Sequence, residues 1–352
     1  MRLPRARHEF LLRELQLRGS VRSADVAEAL GVSEVTIRRD VVELDRQGLL
    51  ARVHGGAIAL TAEREPAPAR TLAGLVVPSP TGHFAAAVRG AESVAASRRV
   101  RLVLGGTDYV HEIEERQVRR LLSLGVEGLL IAPTTRDRDE DEIAEWVSSI
   151  PVPCVILERR FATSAVQPYD YVRTDHAYGA ALAVEHFARL GHDAVAIAVF
   201  DRTPTASSVR AGHRAAVERL GLRPAPDLSL PKSEEDRPGV GEMLERLLRE
   251  CRSSGTRAVL VHTDDHATRL VELALDRGVD VPGDLAIIAY DDEFADLCAV
   301  PLTAVSPPRH ELGREGLRLL LDHLATPDEA RSPRHLDLLP RLMVRDSCGG
   351  AR

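Results

Sequence analysis

Short apolar runs alternate with segments of helical periodicity throughout the chain after residue 72. The runs LAGLVV, VRLVLGG, VEGLLIAP and VPCVIL precede residue 172, and AVAIAVF, RAVLVH and DLAIIAYDD follow it. Apolar runs of this length separated by helices are typical of buried parallel strands. Because the alternation restarts after residue 172, the sequence predicts two similar α/β lobes, each a parallel sheet with helices on both faces.

A ligand cleft follows from this arrangement. Open parallel sheets bind ligands outside the carboxyl ends of their strands. The loops that follow the predicted strands are therefore expected to converge on one cleft, and they span residues 78–84, 105–109, 132–135, 201–210, 263–266 and 290–294.

The first sixty residues have a different pattern. A helical segment ends at Gly19, a short helix follows Ser23, and a third helix follows Ser33. The third helix places Ile37, Val41 and Leu44 on its inner face. The stretch LLARVHGGAIAL then predicts a two-stranded hairpin.

The outer face of the third helix and the hairpin carry the predicted DNA contacts. The whole chain has a net charge of −7, but residues 1–60 hold ten arginines and eight acids, a net charge of +2. Arginine binds phosphate or guanine, and the sequence does not decide which side chains contact bases. The predicted DNA-binding residues are Ser33, Thr36, Arg38, Arg39, Arg52 and His54.

Two motifs in this segment resemble the DeoR family of regulators. They are Val35-Thr36-Ile37-Arg38-Arg39-Asp40 and, after Gly48-Leu49-Leu50, Arg52-Val53-His54-Gly55-Gly56-Ala57. The resemblance implies a winged helix-turn-helix DNA-binding domain over residues 1–60. Residues 61–71 contain two prolines and no periodicity, which predicts a linker.

The remaining chain resembles the effector domain of the LacI family, which is similar to periplasmic sugar-binding proteins. The landmarks are Gly74 to Ser79, Leu190-Gly191-His192, Val281 to Asp284, Tyr290-Asp291-Asp292 and Pro301-Leu302-Thr303. The resemblance implies a two-lobed type I periplasmic-binding-protein-like domain over residues 72–347. Lobe 1 is expected over about 72–165 and 298–326, and lobe 2 over about 168–294 and 330–347.

The same resemblance implies the ligand-binding residues. Asp291 matches a position whose carboxylate accepts hydrogen bonds from the ligand. The full set is Ser79, Phe84, Asp108, Asp175, Arg210, Asp264 and Asp291. Three departures point to a different ligand: Gly82-His83 replaces a frequent Asn-Pro pair, Arg210 lies two residues before Gly212 instead of three, and residues 229–237 lack an aromatic side chain.

Other chemistries have no support in the sequence. The one lysine, Lys232, follows no glycine-rich loop, no GxSxG motif is present, and the four cysteines form no CxxC pair. We therefore expect no catalytic residues, no metal and no cofactor. The N-terminus lacks the uninterrupted apolar core of a signal peptide, so a cytoplasmic protein without membrane contact is expected.

These patterns predict a homodimeric transcriptional regulator, most simply a repressor, that binds double-stranded operator DNA. Its affinity for the operator is expected to depend on a small polar effector, a sugar or related metabolite, bound between the lobes. Two alternatives stay open at this stage. One is a DeoR-type regulator that senses a phosphosugar, and the other is a solute-binding protein or enzyme on the same scaffold.

Overall fold

The computed structural model forms two compact units, Met1–Pro68 and Ala69–Arg352. It describes residues 7–8, 10–12, 14–15, 20–47, 49–53, 55–58, 71–161, 169–231, 237–326 and 332–350. His54, Lys232 and nearly all of the predicted linker lie outside the described residues.

The N-terminal unit packs helices against a small sheet. Residues 7, 8, 10–12, 14 and 15 are helical. The other elements are β1 (Ser20–Arg22), α1 (Ser23–Leu30), α2 (Glu34–Arg46), β2 (Ala51–Val53) and β3 (Gly56–Ile58). The antiparallel sheet has the order β1-β3-β2, so the hairpin gains a third strand that the sequence analysis did not predict.

The turn between α1 and α2 follows from two residues. Gly31 adopts a left-handed conformation, with φ of 63° and ψ of 38°, which glycine tolerates without steric cost. Ser33 then caps α2, because its side-chain oxygen accepts a hydrogen bond from the Thr36 N–H. The helices bury an apolar core that includes Leu11, Leu30, Ile37 and Leu44. A helix-turn-helix results.

The second unit contains two six-stranded sheets, each the centre of one lobe. The sheet of lobe 1 has the order β5-β4-β6-β7-β8-β14 and is parallel throughout. Its strands are β4 (Thr71–Val77), β5 (Val100–Gly106), β6 (Gly128–Ile131), β7 (Cys154–Leu157), β8 (Asp170–Thr174) and β14 (His335–Leu338). Its helices are α3 (Ala85–Arg98), α4 (His111–Ser123), α5 (Glu140–Ser148) and α10 (Arg309–Ala325).

The sheet of lobe 2 has the order β10-β9-β11-β12-β13-β15, and only the pairing of β13 with β15 is antiparallel. Its strands are β9 (Ala196–Phe200), β10 (Asp227–Leu230), β11 (Ala258–His262), β12 (Ala286–Tyr290), β13 (Thr303–Ser306) and β15 (Arg341–Met343). Its helices are α6 (His176–Arg189), α7 (Ala206–Leu220), α8 (Arg237–Ser254) and α9 (Asp264–Asp276). Successive residues of β9 enter the cores on opposite faces of the sheet.

The chain passes between the lobes three times: after β8, between β13 and α10, and between β14 and β15. The sheets differ from the expected lobe limits. Strands β8 and β14 pair within lobe 1, although residues 170–174 and 335–338 were expected in lobe 2. Strand β13 pairs within lobe 2, although residues 303–306 were expected in lobe 1. The apolar pattern predicts strands but not their neighbours, which explains the difference.

Glycines allow two helix pairs to approach closely. A Cβ atom at Gly313 of α10 would overlap the carbonyl oxygen of Ala87 in α3, and one at Gly212 of α7 would overlap that of Ala177 in α6. The backbones are thus in direct contact. None of the helices in the described part of the chain combines the length and apolar character that a membrane span requires.

Candidate functional site

The outer face of α2 presents the predicted DNA-contacting side chains to solvent. Arg38 and Arg39 are exposed, with 62% of the Arg38 side chain accessible. Arg38 Nη2 lies 2.7 Å from Glu34 Oε1 one turn earlier, an ion pair that is weak in water and leaves other guanidinium protons for phosphate or bases. Val35, which the sequence analysis assigned no contact, is 60% exposed beside them.

The inner face of α2 has a structural ion pair. Arg7 donates from Nε and Nη2 to the Asp40 carboxylate at 2.7 and 2.9 Å, and His8 lies 3.2 Å from it. Burial raises the pKa of Asp40, but the Arg7 hydrogen bonds and charge outweigh burial and lower the pKa overall. Asp40 therefore joins α2 to the N-terminal helical segment.

The remaining predicted DNA contacts have local roles as well. Ser33 is the α2 cap, and its hydroxyl lies 2.8 Å from the Thr36 hydroxyl. Arg52 on β2 is exposed, and its backbone N–H donates to Asp45 at 3.0 Å. Arg52 therefore lies on the β2–β3 hairpin, near the carboxyl end of α2.

A cavity of about 410 Å³ lies at the carboxyl ends of strands from both lobes. Lobe 1 contributes loops after β4, β5 and β7, and lobe 2 contributes loops after β9, β11 and β12. The lining residues are His83, Phe84, Tyr109, Arg159, Phe200, Thr203, Pro204, Thr205, His262, Thr263, Asp264, Asp265, His266, Asp291, Glu293 and Phe294. The cavity is thus the cleft between the lobes.

Asp291 connects the two lobes. It follows β12, and Arg309 at the start of α10 donates to its backbone oxygen at 2.5 Å and its carboxylate at 2.8 Å. Arg309 Nε also lies 3.1 Å from His83 Nδ1 in lobe 1. The carboxylate predicted to accept ligand hydrogen bonds therefore accepts one from Arg309.

Asp264 shapes the loop that carries Asp291. Its carboxylate accepts backbone N–H groups of Asp292, Glu293 and Phe294 at 3.2, 2.6 and 3.2 Å. Asp291 and Asp292 have φ values of 113° and 57°, which non-glycine residues adopt only with strain. Burial and the Asp291 charge raise the pKa of Asp264 to about 6. Asp264 lines the cavity but its hydrogen-bonding capacity goes chiefly to this loop.

Two neutral histidines line the cleft. Burial lowers the pKa of His83 and of His262 to about 4, helped at His83 by the charge of Arg309. His262 is 2% exposed and its Nδ1 has no hydrogen-bond partner among the described residues. A neutral imidazole with an unsatisfied nitrogen is suited to a ligand hydroxyl.

The structure brings Phe84, Asp264 and Asp291 together at the cavity. The other four predicted ligand residues line neither this cavity nor a second cavity of about 310 Å³ that adjoins it. Their part in ligand binding stays a prediction. Ser79 bonds Thr81, Asp108 is a left-handed turn residue with φ of 52°, Asp175 caps α6, and Arg210 pairs with Asp201 and Asp227.

Sequence reasoning missed Arg159, Tyr109 and His262. Arg159 follows β7, whose carboxyl end was absent from the loops expected at the cleft. Its place two residues after the run VPCVIL is the signal that could have found it. Tyr109 is the last residue of the expected loop 105–109, and His262 directly precedes the expected loop 263–266, but no motif in the sequence identified either side chain as a ligand contact.

Models of two domain families match the chain. A DeoR-like helix-turn-helix domain matches residues 7–63, and a periplasmic binding protein-like domain matches residues 184–348.

Relatives and solved structures cover most of the chain. It is 25% identical over 335 residues to the arabinose metabolism transcriptional repressor of Geobacillus stearothermophilus, covering 92% of this chain and 89% of that protein. It is 26% identical over 336 residues to the ribose operon repressor of Escherichia coli K12, covering 92% and 98%. A putative LacI-family transcriptional regulator from Sanguibacter keddieii is similar in structure, with a TM-score of 0.63, 28% identity and coverage of 79% and 98%.

The helix-turn-helix unit and the two-lobed unit define a class of proteins that couple a DNA-binding head to a periplasmic-binding-protein-like domain. The chain is a transcriptional regulator of this class, with a DeoR-like helix-turn-helix domain and a periplasmic binding protein-like domain.

Proposed function

We propose that the chain is a repressor whose affinity for operator DNA is controlled by a sugar or related polar metabolite bound in the cleft. Residues 1–60 bind DNA, residues 61–71 link the units, and residues 72–347 bind the ligand. The names of two relatives support a carbohydrate: one is an arabinose metabolism transcriptional repressor and the other is a ribose operon repressor. The chain acts by binding and not by catalysis.

The observation that carries this proposal is the interlobe contact between Asp291 and Arg309, whose Nε also donates to His83. Because both lobes line one cavity, a ligand that enters it has different contacts in open and closed arrangements of the lobes. Only such a difference in affinity shifts a conformational equilibrium. In a homodimer, the shift would change the placement of two DNA-binding units on the half-sites of an operator, and DNA would reciprocally change ligand affinity.

Selection from a randomised double-stranded DNA library with the purified full-length protein would provide the operator. Fluorescence anisotropy would then give the affinity for that operator with and without arabinose, ribose and related sugars. We expect one compound to change operator affinity by at least about fivefold, the lower range of allosteric coupling. A selected operator with affinity unaffected by every compound that binds the protein would contradict control by the effector.

A further inference from the structure

A second, smaller cavity of about 310 Å³ adjoins the main cavity of the cleft. The two cavities share Arg159, Pro204 and Thr205. We call the second cavity the side chamber. Its other lining residues come from lobe 1 and from the starts of α6 and α7, including Arg138, Arg160, Arg173, Ser207 and Ser208. A ligand in the main cavity could therefore extend a group into the side chamber past Arg159.

The linings of the two cavities differ in their balance of charge. The lining of the main cavity includes four carboxylates, from Asp264, Asp265, Asp291 and Glu293, against one arginine, the shared Arg159. The lining of the side chamber includes four arginines, Arg138, Arg159, Arg160 and Arg173, against the two carboxylates Glu140 and Glu158. A ligand with hydroxyl groups at one end and a negative charge at the other matches this polarity.

Several of these charges already have partners within the protein. Arg138 pairs with Glu114, and Arg173 pairs with Asp337. Glu158 accepts hydrogen bonds from the Thr174 N–H at 3.1 Å and hydroxyl at 2.8 Å. These side chains are held in place by the fold and do not need a ligand.

Arg159 differs from them. It is 7% exposed, and its Nε and Nη1 donate to the backbone oxygens of Pro133 and Glu158 at 3.3 and 2.9 Å. In the part of the chain that the structure describes, it forms no ion pair with a carboxylate. Burial lowers the pKa of Arg159. The negative charges of Glu158 and Glu114 oppose this lowering but do not cancel it, so part of the desolvation of the guanidinium is not offset within the protein.

The start of α7 faces the same chamber. This helix has fifteen residues, and Thr205 at its N-cap position makes no side-chain capping bond. Thr205, Ser207 and Ser208 line the chamber with hydroxyl groups, and the first N–H groups of a helix favour negative charge. The helix start supports an anion beside Arg159 without carrying the argument alone.

We propose that the effector carries an oxyanion that binds Arg159, with its hydroxyl-bearing body in the main cavity. The ligand class is a sugar acid or a sugar phosphate, since a guanidinium fork accepts either a carboxylate or a phosphate. This inference rests on the proposed function and narrows its effector from carbohydrates in general to anionic ones.

Matched ligand sets test the inference on the full-length protein. Isothermal titration calorimetry would compare arabinose, arabinonate and arabinose 5-phosphate, and the same three forms of ribose and glucose, at constant ionic strength. We expect at least one anionic member to bind at least about tenfold more tightly than its neutral parent. Comparison of the sugar acids with the sugar phosphates shows which oxyanion the side chamber accepts.

Variants assign the effect to Arg159. R159Q should lower the affinity for the preferred anionic compound by about 10- to 100-fold and leave the affinity for its neutral parent unchanged. R159K, which keeps the charge without the fork, should retain part of the preference. R136Q is the matched control, since Arg136 is exposed and lines neither cavity. Circular dichroism and melting curves would establish that each variant folds.

The outcomes separate this inference from the proposed function. Equal or tighter binding of a neutral sugar, with R159Q unchanged, overturns the anionic effector while the sugar-responsive regulator stands. An anionic compound that binds through Arg159 but leaves operator affinity unchanged supports the subsite and contradicts the proposed control of DNA binding. Absence of binding by every anionic compound at millimolar concentration also overturns the anionic effector.

Discussion

Arg309 and Asp291 form a largely buried ion pair across the cleft, with Nη2 2.8 Å from Oδ1 and Nη1 2.5 Å from the Asp291 carbonyl oxygen. Their side chains are 9% and 16% exposed. Arg309 begins α10 in lobe 1, and Asp291 directly follows β12 in lobe 2. A ligand that binds the Asp291 carboxylate would have to share it with Arg309 or displace Arg309, and ligand binding at this carboxylate would therefore be coupled to the arrangement of the lobes.

The contributions of Asp291 and Arg309 to the free energy of unfolding should depend strongly on each other. Removing one partner leaves the other charge buried, which costs about 3 to 5 kcal/mol. We expect D291A and R309A each to lower the free energy of urea unfolding by about 3 kcal/mol or more, and the double variant to lower it by less than the sum. The exposed pair of Asp193 and Arg223 is the control and should be nearly additive. Additive losses at Asp291 and Arg309 would contradict the coupling.

The contact of α3 with α10 depends on a glycine. Because a Cβ at Gly313 would overlap the Ala87 carbonyl oxygen, G313A should separate the helices and destabilise lobe 1 by about 1 to 3 kcal/mol in chemical denaturation. The control is G241A in α8, where a Cβ meets nothing within 4 Å. That change should instead stabilise the helix by about 0.5 to 1 kcal/mol. Equal effects of the two substitutions would show that the close approach is absent.

The sequence predicts the layers of this fold better than their connections. The run AVAIAVF predicts a strand buried on both faces, and β9 (Ala196–Phe200) is one. However, nothing in the run HLDL predicts that β14 returns to lobe 1 while β15, three residues further on, joins lobe 2. Strand neighbours depend on contacts between residues far apart in the sequence, and local periodicity carries no information about them.

The site was predictable to the same partial extent. The carboxyl ends of the strands indicated the cleft, and Asp291 lies in it as expected from its motif. The engagement of Asp291 by Arg309 was not predictable, since eighteen residues and a change of lobe separate them. Arg210 shows the converse: its type and position suggested a ligand contact, but nearby Asp201 and Asp227 hold its guanidinium.

Acid should destabilise the effector domain through His262, whose pKa is lowered to about 4 by burial. Above pH 6.5 the imidazole is neutral in both the folded and the unfolded chain, so it does not make the free energy of unfolding depend on pH. As the pH falls from 6.5 to 4, the unfolded chain binds the proton first, so the free energy of unfolding decreases, by about 2 kcal/mol at pH 5. The charged or titratable neighbours are Asp291, His176, His266 and Asp201.

H262F should remove the decrease in the free energy of unfolding that His262 causes at low pH. Urea unfolding at pH 7 and pH 5 would measure it. The raised pKa of Asp264 acts in the opposite direction, between about pH 4 and 6, in both proteins. H310Q at an exposed histidine is the control and should retain the wild-type loss. An equal decrease in H262F and the wild type would show that His262 does not titrate differently on folding.

The central claim is that α2 binds DNA, and the salt dependence of operator affinity tests it most directly. Fluorescence anisotropy would compare the wild type, R38A/R39A, and R189A, which changes an exposed arginine of the effector domain. Loss of up to two phosphate contacts should reduce affinity at least about tenfold and reduce the steepness of log K against log salt by about 1 to 2, and R189A should match the wild type. Wild-type affinity and slope in R38A/R39A would contradict the assignment of α2 as the DNA-binding helix.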